Sequence, residues 1–376
     1  MNVAFFGSSL TSAYWNGAAT YYRGIIRALD ARGHRVTFYE PDAFERQQHR
    51  DLPDPPWAEV VVYAADEHAA LRQVERARGA DLVVKASGGG VFDALLEEAV
   101  LGLQRPQTLV AFWDVDAPAT LERLERIPDD PFRPLVPRYD LVLTYGGGDP
   151  VVRAYTALGA RGCHPIYNGV DPSTHHRVPP DPKFEGTLAF LGNRLPDREA
   201  RVEAFFLAAA EAMPDAHFLL GGSGWGDKPL PANVRYLGHV YTRDHNAFNR
   251  TPTAVLNVSR DSMAATGFSP ATRVFEAAAA GACLITDAWE GVERFFEPER
   301  EILVARSGEE VVEHLRRLSD AKGPASAKGP ASAKGPARAI GERAHARALA
   351  EHTYAQRALE LERVLGAHAG RGAQAR

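Results

Sequence analysis

The sequence predicts an α/β protein built from two doubly wound, parallel-sheet domains. Three observations lead there. The chain has 376 residues, more than the roughly 250–300 at which a single hydrophobic core stops growing. Short runs that are apolar on both faces alternate with amphipathic helical patterns, as strands covered by helices on both sides of a sheet must. That alternation then restarts after residues 168–183, a stretch rich in Pro, Asp and His.

In chain order, the first strand-like runs are VAFF (3–6), VTFY (36–39), VVVY (60–63), LVVK (82–85), LVAFW (109–113), LVLTY (141–145) and HPIY (164–167). Between the first two, Ala18, Tyr22, Ile25, Ile26 and Leu29 line one helix face that ends at Gly33. The second set opens with TLAFLG (187–192) and a helix near 198–212. HFLLGG, VRYLGHV and AVLNVS follow, then a helix from about Pro270, CLITD, EILVA and a helix near 309–318. The expected domains are therefore 1–172 and 184–320. Residues 321–338 read AKGPAS, AKGPAS, AKGPAR. Three hexads are too short for a solenoid, and Gly-Pro in each opposes a helix, so a flexible, mildly basic linker is expected. Beyond it, Ala350, Tyr354, Ala358, Leu361 and Leu365 stripe one long helix over 339–366, with a polar tail after it.

Composition excludes several classes. Apolar residues at 45% and charged residues at 24% place the chain with globular proteins rather than disordered ones. A net charge of −5 gives no general attraction to nucleic acid or anionic membranes, so neither is expected as a partner. The two cysteines, Cys163 and Cys283, stand in no metal-ligand spacing and suit a reducing compartment. MNVAFFGSSL has no basic segment ahead of a long apolar run, and no stretch reaches the roughly 18–20 apolar residues of a membrane span. A cytoplasmic protein is expected, on which the sequons at Asn249 and Asn257 carry no meaning. The chain lacks G-x-G-x-x-G after its first strand, G-x-x-x-x-G-K-[ST], G-x-S-x-G and H-E-x-x-H. Nicotinamide dehydrogenases, P-loop enzymes and two hydrolase classes are disfavoured accordingly.

The segment richest in chemistry is TGFSPATRVFEAAAAG (266–281). Ser269 before Pro270 reads as a helix start, with the hydroxyl as cap and proline in the first turn. Gly267 and Phe268 form the loop before it, and a helix start with such a loop is an anion site. Thr272 and Arg273 then face the anion, and Glu276 shares the face of Arg273. Either Arg273 and Glu276 pair with each other, or Glu276 accepts hydrogen bonds from a ribose diol while Arg273 and the helix start meet a diphosphate.

LGNRLPDR (191–198) follows the first strand of the second set. Gly192 and Asn193 suit a tight turn, and Arg194 and Arg198 are candidates to clamp a diphosphate with their planar forks. A solvated surface loop is the competing interpretation. GGSGWG, with Gly222 and Ser223, and YLGHV, with Gly238, His239 and Val240, lie at strand ends where backbone can approach a nucleobase; ordinary turns explain them equally. In the first domain, FWDVDAP sets Asp114 and Asp116 just past a strand as candidates for general base or acceptor recognition. Asp116 is also placed to cap the following helix. Asn16, Gly17 and Thr20 are candidates for acceptor binding.

Taken together, these segments resemble the CgeB-type (spore maturation protein-like) glycosyltransferases of the GT-B architecture. The resemblance rests on GFSPATRVFEAAAAGACLITDAWEGVERFFEPEREILV, LGNRLPDR, FWDVDAP, GAATYYRGIIRAL with RGHRVTFYE, and LAEHTYAQRALELE. NGVD (168–171) is similar to the interdomain junction of the larger glycogen-synthase-like group. The resemblance implies two Rossmann-like domains facing a central cleft, nucleotide sugar on the second, acceptor on the first, and a final helix returning to the first. It implies transfer from a nucleotide-diphosphate sugar to a hydroxyl of a glycan, protein or small molecule. No metal or other cofactor is expected, because the arginines and the helix start can stabilise the departing diphosphate, and the D-x-D metal pattern that Asp114 and Asp116 suggest belongs to a different, single-domain transferase fold. It also implies that Glu276 binds the ribose and that 238–240 lie beside the base. One departure stands out: the broader group carries a second Glu eight positions before the ribose Glu, and here that position is Phe268. The rival functions are a nucleotide-sugar epimerase and a catalytically silent nucleotide- or glycan-binding module.

Overall fold

The computed structural model describes residues 1–14, 16–320 and 335–374. It divides into two compact units, Met1–Asn168 with Tyr354–Arg376, and Gly169–Thr353. Each is a Rossmann-like α/β unit on a wholly parallel sheet.

In the first unit the strands are β1 (Asn2–Phe6), β2 (Arg35–Asp42), β3 (Glu59–Ala64), β4 (Leu82–Ala86), β5 (Leu109–Asp114), β6 (Leu141–Thr144) and β7 (Cys163–Pro165). They pair in the order β3-β2-β1-β4-β5-β6-β7. The helices are α1 (Ala19–Asp30), α2 (Glu67–Arg76), α3 (Asp93–Ala99), α4 (Ala117–Arg126) and α5 (Gly148–Ala157). Side chains alternate across each strand, so Phe5, Val84 and Trp113 enter one core with Ile25 and Ile26 of α1. Phe6, Val83 and Phe112 enter the other, with Val74, Leu96, Leu124 and Tyr155. Both faces of the sheet are buried, which is why its strands read as unbroken apolar runs.

The second unit holds β8 (Leu188–Leu191), β9 (Phe218–Gly221), β10 (Val234–Gly238), β11 (Ala254–Asn257), β12 (Leu284–Asp287) and β13 (Leu303–Ala305), ordered β10-β9-β8-β11-β12-β13. Its helices begin with α6 (Pro196–Val202) and α7 (Ala208–Ala212), joined through a π-turn at Glu203–Leu207. Then come α8 (Thr242–Arg250), α9 (Asp261–Thr266), α10 (Thr272–Ala279), α11 (Gly308–Asp320) and α12 (Pro336–Glu351). Residues 321–334 of the expected linker lie outside the described residues. Its last hexad departs from expectation, because Pro336 opens α12 at a first-turn position where the missing N–H costs nothing.

The single helix expected over 339–366 is two. α12 packs on α10, and a Cβ at Gly341 would sit 2.3 Å from the Gly281 carbonyl. The chain breaks at His352–Thr353, and α13 (Tyr354–Gln374) belongs to the first unit, against α1. Tyr354, Ala358, Leu361 and Leu365 join the core beside Ile25 and Ile26. Arg32 holds Glu362 through two bonds of 2.7 and 2.6 Å, and His34 Nε2 lies 2.8 Å from the same carboxylate.

The α1–α13 seam yields two predictions. An added methyl at Gly24 would fall 2.2 Å from the Tyr354 ring. Gly24→Ala should therefore lower the melting temperature, because overpacking costs about 1–3 kcal/mol and outweighs the roughly 1 kcal/mol gained in helix propensity. The Arg32 guanidinium, helped by His34, pulls the Glu362 carboxyl down to about 2. Its contribution is thus present above the ordinary carboxylate value of about 4.3 and is lost as pH falls toward 2. Glu362→Gln should reduce amide-exchange protection in α13 at pH 7 and reduce it much less near pH 2, where the wild-type carboxyl is half protonated.

Candidate functional site

Strand order in the second unit reverses between β8 and β11, so the loops leaving these two strands diverge and open a crevice at their carboxyl ends. The loop after β8 is locked to the loop after β9. Gly192 N donates to Gly221 O at 2.9 Å, Ser223 N to Asn193 Oδ1 at 3.0 Å, and Arg194 N to Ser223 O at 2.9 Å. Trp225 Nε1 donates to Gly192 O at 2.7 Å. Gly222 takes φ +116°, and a Cβ there would meet Gly192 O at 2.2 Å, so only glycine permits the approach. Gly222 N in turn donates to Gly238 O at 2.7 Å, tying in β10.

The expected Arg194–Arg198 clamp divides. Arg194 is neutralised by Glu199 at 2.8 Å and Asp227 at 3.0 Å. Arg198 folds back over Gly192, donates to Asn193 O at 2.6 Å, and sits 5.7 Å from the Phe190 ring centroid. Arg273 lies over the same ring at 5.6 Å. Among the described residues neither Arg198 nor Arg273 forms an ion pair. Both keep some accessible surface, yet desolvation lowers the pKa of each, and the neighbouring Arg198 charge helps take Arg273 down to about 10. Two guanidiniums thus stand beside the same ring without an ion pair among the described residues, and the charges of Asp197 and Glu276 offset only part of the desolvation.

The loop before α10 is more constrained than its sequence suggests. Gly267 takes φ +71°, and a Cβ there would lie 2.8 Å from Glu290 Cβ. Phe268 is left-handed at φ +46° and donates its N–H to Glu290 O at 2.6 Å. Ser269 is not the cap. Its hydroxyl donates to Gly267 O at 2.9 Å, and α10 starts only at Thr272, behind Ala271, with no side-chain cap. Ser269 lies two residues before the N-cap, and the N-cap itself is Ala271, whose methyl has nothing to offer the first turn of α10.

Glu276 follows on α10 and makes no ion pair with Arg273 among the described residues. Its neighbours are two histidines. One ring nitrogen each of His175 and His245, and one Glu276 carboxylate oxygen, lie within 4.8 Å of one another. His175 Nε2 is 3.7 Å from Glu276 Oε1, buried and without a hydrogen-bond partner. His245 donates Nε2–H to Val240 O at 3.1 Å, and desolvation lowers its pKa. This bond links α8 to the 238–240 loop, where Gly238 takes φ +64°, Val240 is buried and His239 is exposed with its ring edge-on to Tyr241. Neither histidine is visible as a site in the sequence. They stand 70 positions apart, and the only local signal is the His175–His176 pair after NGVD.

In the first unit the expected acids separate by burial. Asp114 is fully buried, and its carboxylate accepts from Ser87 Oγ (2.8 Å), Thr120 Oγ1 (3.0 Å), Asp116 N (3.0 Å) and Tyr155 OH (2.5 Å). Desolvation raises its pKa. It organises the β5–α4 turn, and all four of these bonds are internal to the first unit. Asp116 is partly exposed at the N-cap position of α4. Asn16 is also spent internally, bonding Ser8, Ser9 and Ser12, whereas Gly17 and Thr20 are exposed.

With this geometry in place, comparisons with known proteins give the fold its relatives. Residues 198–363, somewhat under half of the chain, match a family model described as glycosyl transferase-like. No curated protein matches the chain. HepE of Anabaena, solved with UDP and glucose, is similar at 15% identity over 98% of this chain and 100% of that one, with a TM-score of 0.65. An alpha-glucosyltransferase solved with UDP-glucose and abasic DNA is similar at 12% identity over 97% and 99%, TM-score 0.68. Sucrose-phosphate synthase from Thermosynechococcus elongatus is similar at 13% identity over 97% and 98%, TM-score 0.67. The fold is that of GT-B glycosyltransferase structures: two Rossmann-like, parallel-sheet domains. Among the described residues, no helix is long and apolar enough to cross a membrane.

The unpaired arginines give a direct test. Arg273→Gln removes a repelled, desolvated cation, so the ligand-free protein should melt no lower than wild type. Inorganic pyrophosphate should raise the wild-type melting temperature and have little effect on the variant.

Proposed function

We propose that the chain is a glycosyltransferase that takes a sugar from a nucleotide-diphosphate donor and passes it to an acceptor hydroxyl without a catalytic metal. The observation that carries this is the Arg198–Arg273 pair beside Phe190, two desolvated cations with no ion pair among the described residues, next to the first turn of α10, which has no side-chain cap. A diphosphate is the anion that such a pair fits. As the glycosidic bond breaks, charge gathers on the departing diphosphate, and fixed guanidiniums stabilise it with little reorganisation.

Glu276, one helical turn beyond Arg273, accepts the ribose hydroxyls, and the 238–240 backbone borders the base. Two of the similar structures hold UDP with glucose or UDP-glucose, which makes UDP-glucose the first donor to test. On the acceptor side, Asp116 replaces Asp114 as candidate base, and Gly17 and Thr20 remain candidate contacts; a donor phosphate oxygen is the other proton acceptor available. The acceptor is a hydroxyl of a glycan, a protein or a small molecule.

The test is calorimetric titration of UDP-glucose in EDTA. Glu276→Ala should weaken binding about 100-fold, the equivalent of ~3 kcal/mol for two hydrogen bonds to a charged group. Unchanged affinity in the variant would sink the ribose assignment.

A further inference from the structure

The cluster around Glu276 has an excess of acceptors. Thr174 Oγ1 donates to Asp171 O at 3.0 Å, so its 3.0 Å contact with His175 Nδ1 requires the ring to donate there. Neutral His175 therefore carries its proton on Nδ1 and presents a bare lone pair at Nε2, the buried atom that has no partner. His245 donates Nε2–H to the Val240 carbonyl, which leaves Nδ1 as the lone-pair nitrogen of its neutral ring. Glu276 adds a carboxylate. The His175 Nε2 lone pair faces the Glu276 carboxylate at 3.7 Å, and a ring nitrogen of each histidine lies with a Glu276 oxygen inside 4.8 Å.

The arrangement is also braced. Asn246, buried on α8 one residue past His245, accepts from His176 N at 3.1 Å and donates to Thr174 O at 2.9 Å. These bonds grip the backbone on both sides of His175 and fix it against the helix that carries His245. Each ring thus has one nitrogen anchored to an oxygen, as ligating histidines do, since that bond sets the tautomer and orientation of the other nitrogen.

We propose that His175, His245 and Glu276 form a binding site for a divalent transition-metal ion of the zinc class, and that the ion competes with the nucleotide sugar for Glu276. Two imidazoles and one carboxylate are a zinc donor set that leaves a fourth position for water. Magnesium, which demands oxygen ligands, does not suit it. The ligand atoms must contract from within 4.8 Å to the roughly 3.3–3.6 Å spacing that bonds of about 2.0–2.2 Å require, a change within reach of side-chain rotation. The ion takes no part in sugar transfer: it occupies the carboxylate that the ribose needs. The competition rests on the ribose assignment for Glu276; the metal site does not.

The test uses the whole chain stripped with EDTA and dialysed. Zinc titrated by calorimetry should bind one ion per chain with a dissociation constant on the order of micromolar, and magnesium should give no heat. His175→Gln and His245→Gln should each weaken zinc binding at least about tenfold, with unchanged melting temperatures in EDTA confirming that the variants fold. Zinc should raise the apparent dissociation constant for UDP in wild type and not in the double variant. Absence of one-to-one binding, or binding that survives in the double variant, overturns the site. If zinc binds through the histidines while Glu276→Ala leaves UDP-glucose affinity intact, the donor reading falls and the metal site stands. The converse result removes the metal site alone.

Discussion

Everything in this chain follows from the parallel ladder. A parallel strand cannot return through a tight turn, and its crossovers place helices on both faces of the sheet. Both faces must then be apolar, which Phe5 and Phe6 illustrate by entering opposite cores from adjacent positions. Polar chemistry is thereby expelled from the strands to their carboxyl ends, and it concentrates where the order reverses, between β8 and β11. The position of the candidate site is a consequence of the sheet before any side chain is considered.

Charge then separates scaffold from site. Several cations of the second unit are matched by carboxylates: Arg194 has two, Arg201 meets fully buried Asp287 at 2.6 Å, and Arg260 pairs with Asp197 at 2.5 Å. Arg198 and Arg273 have no ion pair among the described residues, and they are set apart by being desolvated beside the same ring. Like charges brought near one ring oppose the fold locally, and the charges of Asp197 and Glu276 offset only part of the desolvation. Such an arrangement is consistent with a counter-charge arriving from outside, which is the basis of the proposed diphosphate site.

Much of the fold was legible because its signal is local. The strand runs near 82–86, 109–114 and 254–257 are apolar on both faces, and the α1 stripe at Ile25, Ile26 and Leu29 is buried as its period implies. The site was legible only in part. FWDVDAP marks a strand end correctly but cannot say that Asp114 turns inward to four donors while Asp116 stays accessible. Ser269 followed by Pro270 looks like a cap in one dimension; in three, the helix begins only at Thr272, with Ala271 at the N-cap. The His175–His245–Glu276 cluster joins residues from a loop, α8 and α10, and no spacing rule relates them. The break at His352–Thr353 was hidden because one stripe runs on across two helices, although only the second belongs to the first unit.

Phe268 bears on the chemistry through what it displaces. In the broader glycogen-synthase-like group, an acid stands at that position close to the donor sugar. Here the residue is an aromatic held at φ +46°, a backbone that costs a bulky side chain on the order of 1–3 kcal/mol. Its N–H is fixed by Glu290 O, and its ring packs where Gly291 has no Cβ, since one there would lie 2.2 Å away. The position is thus committed to holding the β11–α10 connection against the turn after β12, and supplies no charge to a sugar. On the proposed reading, stabilisation of the transition state must then come from the leaving-group side. That is the side on which Arg198, Arg273 and the uncapped first turn of α10 stand together.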